Sequence, residues 1–69
     1  MDEVAMDHEV LKAVNKIYGA TSPAEMWERW KQAHALIDIM VRCGLIESED
    51  ELCWYRRRVN DAALLMKFD

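Results

Sequence analysis

Residues 22–44 read SPAEMWERWKQAHALIDIMVRCG, and this stretch decides the fold. Ser22 suits a helix cap, Pro23 fits the first helical position where its missing N–H is no loss, and Glu25 can reach back to complete a capping box. After the cap, Met26, Trp30, Ala33, Ile37 and Met40 recur at 4-3-4-3 spacing. At about 100° per residue these five share one stripe, flanked by Trp27, His34 and Val41, so the stripe is expected to be core. Gly44 then offers the left-handed backbone that ends a helix. A helix over 23–43 is expected.

The same punctuation organises the rest of the chain. Ser48-Glu49-Asp50-Glu51 is a second capping box, and its three acids suit the positive end of a helix dipole. Beyond it, Leu52, Tyr55, Val59, Ala62 and Met66 keep the 3-4-3-4 spacing of an antiparallel helix pair, which predicts a helix over 49–67. Upstream, Met6, Val10, Val14 and Ile17 recur at helical spacing before Gly19, which predicts a helix over about 3–18. No stretch alternates apolar and polar residues as a strand does. The expectation is a single all-α domain over 1–69, a hairpin of the second and third helices with the first packed on it.

The second helix carries more apolar surface than one stripe. In its C-terminal half Leu36, Ile39 and Cys43 lie off the core stripe, while the same sector upstream carries Glu25, Arg29 and Gln32. Helices one and three of a monomer can cover both sides. A chain this short buries only about 60% of its unfolded surface, which favours a second copy as the cover. A homodimer is therefore expected, with Leu36, Ile39, Met40 and Cys43 at its two-fold interface.

Composition narrows the function classes. Thirteen acidic against nine basic side chains give a net charge of −4, which opposes approach to a phosphate backbone. The longest near-apolar run, Ala33 to Val41, is broken by His34 and Asp38 and falls short of the ~20 residues of a membrane span. With no apolar secretory segment legible, Cys43 and Cys53 are expected to be reduced, in a cytoplasmic protein. His8, His34, Cys43 and Cys53 have no metal-ligand spacing, so no metal or other cofactor is expected. Ser22 and Ser48 are the only serines and read as caps, and two glycines 25 residues apart make no phosphate loop. No catalytic residue is assigned, and a non-enzymatic protein is expected.

Two surfaces then stand out as candidate partner sites. On the outer side of the third helix, Trp54, Arg58, Asp61, Leu65 and Phe68 repeat at 4-3-4-3, and Trp and Arg are the residues that dominate interface hot spots. Burial in a dimer, or stacking of Arg58 on Trp54, accounts for the same stripe. The second surface is acidic: Asp2, Glu3, Asp7 and Glu9 on the first helix, and Glu47, Glu49, Asp50 and Glu51 entering the third. If the two clusters converge they can engage the basic face of a DNA-binding domain, although acidic helix starts are common on soluble proteins. Arg56-Arg57-Arg58 suggests the opposite reading, direct DNA binding. Three consecutive arginines spread over about 200° of a helix, however, and four acids sit where a recognition helix would meet bases. A solvated face with an Arg57–Asp61 pair is the plainer account of them.

In size, helical content and acidic balance the whole chain resembles the small phage-encoded quorum-sensing anti-activators of Pseudomonas phages, which are helical dimers. The resemblance implies binding to a LuxR-type transcription activator and to a type IV pilus assembly ATPase. It rests on overall character and transfers no functional residue. The expected function is a protein-binding inhibitor that occupies the DNA-binding surface of a host transcription regulator. A small phage DNA-binding repressor and a structural assembly adaptor are the alternatives.

Overall fold

The computed structural model describes residues 3–66, with side chains from His8 onward, and consists of three helices: α1 (Glu3–Tyr18), α2 (Pro23–Arg42) and α3 (Glu49–Leu65). Each helix packs on both of the others. Short connections make consecutive helices antiparallel, so α1 and α3 run parallel and start at the same end.

The helix ends follow their capping residues. The Ser22 hydroxyl accepts from the Glu25 N–H at 3.2 Å, and the Ser48 hydroxyl from the Glu51 N–H at 3.1 Å. The expected return half of the first capping box is replaced by other bonds. Glu25 accepts from the Thr21 hydroxyl at 3.2 Å and pairs with Arg29 at 2.6 Å, a stronger electrostatic partner than a backbone N–H. Arg29 in turn donates to the Lys16 carbonyl at 2.6 Å, satisfying an orphan acceptor in the last turn of α1.

At the end of α2, Leu45 N–H donates to Met40 C=O at 2.9 Å and Gly44 N–H to Val41 C=O at 3.1 Å. This is a Schellman motif, with Gly44 at φ 74° as its left-handed residue. The helix thus closes at Arg42, one residue before the expected end, with Cys43 as cap. α3 stops at Leu65, earlier than the expected 67. Met66 there has extended backbone (ψ 132°) and no left-handed glycine follows it.

The core is made by the predicted stripes. Val10, Val14 and Ile17 of α1, Met26, Ala33, Ile37 and Met40 of α2, and Tyr55, Val59 and Ala62 of α3 are buried, joined by Ala20 and Ile46 from the connections. Trp30, Leu36, Leu45, Leu52 and Met66 pack against it from its edge. One expected interface residue is displaced by this arrangement. Met40 is 4% exposed and lies inside its own protomer, because the α2 core stripe extends to the end of the helix, so it is withdrawn from the dimer face. Ile39 (54% exposed) and Cys43 remain outside.

Candidate protein-interaction surface

Along the α2–α3 seam a ladder of polar side chains fixes which sides of the helices face outward. Trp30, His34 and Asp38 are spaced four apart on α2, as are Arg56 and Asn60 on α3. Trp30 Nε1 donates to Asn60 Oδ1 at 3.0 Å, and His34 Nε2 lies 3.0 Å from the same oxygen. Arg56 donates to His34 Nδ1 at 2.9 Å and to Asp38 Oδ1 at 2.6 Å. Both flanking donors lack any acceptor capacity, so Asn60 presents oxygen and His34 carries its proton on Nε2. Trp30 also meets the His34 ring edge-on at 4.4 Å.

With Arg56 committed to that seam, the three arginines diverge. The Arg58 guanidinium stacks over the Trp54 ring, its carbon 4.8 Å from the ring centroid. Arg57 is exposed, and among the described residues no ion pair joins it to Asp61. The run therefore presents no single basic face.

Trp54 and Arg58 instead form one wall of a groove between α3 and α1. Val10 and Leu11 complete its lining, around a volume of about 230 Å³. Trp54 is 47% exposed and Leu11 44%, so the groove is apolar and open, with a single cation above it. Further along α3, Leu64 and Leu65 are among the most exposed large hydrophobics, at 81% and 68%. Asp61, also exposed, sits between the Trp54 and Leu65 levels. Phe68, expected on this stripe, lies outside the described residues.

The acidic cluster entering α3 lies at one end of the bundle. Glu47, Glu49 and Asp50 are exposed and Glu51 half-buried, at the end where α1 also begins. Glu9 on the second turn of α1 is exposed and makes only a loose 3.6 Å pair with Lys12. Asp2 and the side chains of Glu3 and Asp7 lie outside the described residues. The Trp54 groove opens a few residues above this end, so the aromatic surface adjoins the acidic cluster that enters α3.

Leu36, Ile39 and Cys43 run along a different side of α2, Leu36 packed partly on the core and the other two exposed. Both cysteines are free thiols at the surface.

Sequence reasoning missed Leu11 as the partner of Trp54. The signal was a leucine adjacent to the core residue Val10, off the α1 core stripe. It also missed the polar seam, whose i, i+4 spacing on both helices was available to read.

These features define an acidic, all-helical three-helix bundle with an aromatic and apolar outer face. In comparisons with family models, curated proteins and solved structures, nothing matches this chain. Among the described residues no helix is long and apolar enough to cross a membrane.

Proposed function

We propose that this protein works by binding another protein through the groove formed by Leu11, Trp54 and Arg58 and the adjoining acidic end. The observation that carries the proposal is the Trp54–Arg58 pair. A large aromatic held half-exposed by a cation, opposite a half-exposed leucine, is the composition of an interface hot spot. Within the protomer Trp54 gains the Arg58 stacking, about 0.5–1 kcal/mol, and an edge contact with Tyr55 at 5.1 Å, yet 47% of its surface stays outside the core.

The partner favoured by the charge is a basic one. Glu47, Glu49 and Asp50 beside the groove complement the Lys/Arg surface with which a DNA-binding domain meets phosphate, so the proposed action is to occupy that surface and exclude DNA. The proposed target is a LuxR-type transcription regulator, with a pilus assembly ATPase as a second. The protein acts as a homodimer through Leu36, Ile39 and Cys43, on a side of α2 that leaves the α1–α3 groove open. Direct duplex binding is less well supported, because Arg56 is held by Asp38 and His34 and Arg58 by Trp54.

The experiment is displacement. Purified DNA-binding domain of a LuxR-type activator is bound to a fluorescent operator duplex and titrated with the protein. Loss of anisotropy with wild type, and its retention with Trp54→Ala, is the expected result. A supershift, in which duplex, regulator and protein coexist, would remove the exclusion mechanism.

A further inference from the structure

Where the chain passes from α2 to α3, Val41, Ile46 and Leu52 line an apolar groove of about 180 Å³. Ile46 and Leu52 are held by the core, and Val41, at 39% exposure, forms the open wall. The space suits one side chain rather than a helix: an enclosed apolar cavity of about 150 Å³ takes a single benzene. Val41 lies two residues from Ile39 and two from Cys43, so at about 100° per residue it points roughly 160° away from each. The groove therefore stays open when a second copy covers the Ile39 side of α2.

Its rim is negative and uncompensated. Glu47, Ser48 and Glu49 complete the lining, with no cation among them. Among the described residues no ion pair engages Glu47, Glu49, Asp50 or Glu51, whereas Glu9, Glu25 and Asp38 each meet a lysine or an arginine. Arg42 follows Val41 in the chain, but it does not line the groove and pairs with none of these acids. Arg56, the next cation along α3, is held by Asp38 and His34. The start of α3 supplies about half a positive charge, which offsets only a fraction of two carboxylates. Glu47 precedes the Ser48 cap, so the helix start does not account for it.

We infer that this groove receives one aliphatic side chain of a basic partner segment, seated on Val41, Ile46 and Leu52 while the lysines or arginines flanking it meet Glu47 and Glu49. The occupant follows from the two halves of the site. An apolar floor gains nothing from a purely charged ligand, and the rim repels an acidic one. The inference rests on the reading that the acidic end meets a basic partner, and adds what that partner carries between its cations.

The probe is a pair of short peptides, one with a leucine between two pairs of lysines and one with serine in place of the leucine, each titrated into uniformly 15N-labelled protein. With the leucine peptide, amide shifts should concentrate at Val41, Ile46, Glu47, Glu49 and Leu52, and weaken as salt is raised. The serine peptide should bind roughly tenfold more weakly, the loss expected when a leucine is no longer buried. A Glu47→Gln, Glu49→Gln double variant with unchanged circular dichroism should weaken both peptides, and Val41→Ser the leucine peptide alone. Equal binding of the two peptides at these residues would overturn the apolar anchor and leave the basic-partner reading standing. Absence of shifts with either at millimolar concentration would overturn both, and shifts centred on Leu11 and Trp54 would overturn the placement.

Discussion

His34 accepts a hydrogen bond from Arg56 through Nδ1 at 2.9 Å, and that bond, with Asn60 on the other ring nitrogen, makes the imidazole a spacer between α2 and α3. The arrangement requires the neutral Nε2–H tautomer. Long-range 1H–15N correlation spectra at alkaline pH should show Nδ1 as the unprotonated nitrogen; the reverse assignment would dismantle the ladder as described.

Asn60 is the shared acceptor of the seam, so Asn60→Ala orphans both Trp30 Nε1 and His34 Nε2. Asn60 is exposed and water can replace part of the loss, which puts the expected destabilisation near the ordinary net value of a hydrogen bond, about 0.5–1.5 kcal/mol. For a domain of this size about 1 kcal/mol corresponds to a fall in Tm of roughly 4–8 °C. Asp38→Asn, which removes the carboxylate of a half-exposed ion pair, is expected to lower stability by less than about 1 kcal/mol. Thermal denaturation of the two variants should keep that order.

Gly44 separates backbone conformation from packing. A Cβ added there meets nothing within 4 Å, yet the residue sits at φ +74°. Gly44→Ala should therefore lower stability through backbone strain alone, by about 1–2 kcal/mol, with no change in the core. Ile37→Ala is the converse. Ile37 is 0% exposed, and its truncation should lower stability by about 2–5 kcal/mol, comparable with the roughly 3–5 kcal/mol that a core of this size supplies. In urea titrations Gly44→Ala should shift the midpoint moderately, whereas Ile37→Ala should populate the unfolded state without denaturant.

How much of this was legible in the sequence follows from which forces act locally. Ser22, Pro23, Ser48 and Gly44 set helix ends within a few residues of themselves, and Val14, Ile37 and Val59 follow the helical period, so elements and core could be read directly. The Trp54 stripe was also legible, because exposure opposite a core stripe is a property of one helix. What the chain did not reveal was cross-helix pairing. Leu11 joins Trp54, and Arg56 turns from its arginine neighbours toward Asp38, only because of how the helices are rotated against one another. Met40 was read both on the core stripe and at the dimer interface for the same reason: at the end of α2 the two stripes converge, and only packing places it inside.

The homodimer gives the most direct test of the remaining α2 surface. Ile39 is 54% exposed in the protomer and Leu36 and Cys43 flank it, so substitution there leaves the core untouched. If these residues meet their own copies across a two-fold axis, Ile39→Asp places two carboxylates near that axis, each desolvated and each facing a like charge. The expected outcome is sedimentation at the 8.1 kDa monomer mass with the helical circular dichroism signal retained. Met40→Ala is the control. It removes a core side chain and should lower the melting temperature while the folded protein still sediments as a dimer. Wild-type protein that sediments as a monomer throughout the micromolar range, or an Ile39→Asp variant that remains dimeric, would exclude this face as the interface.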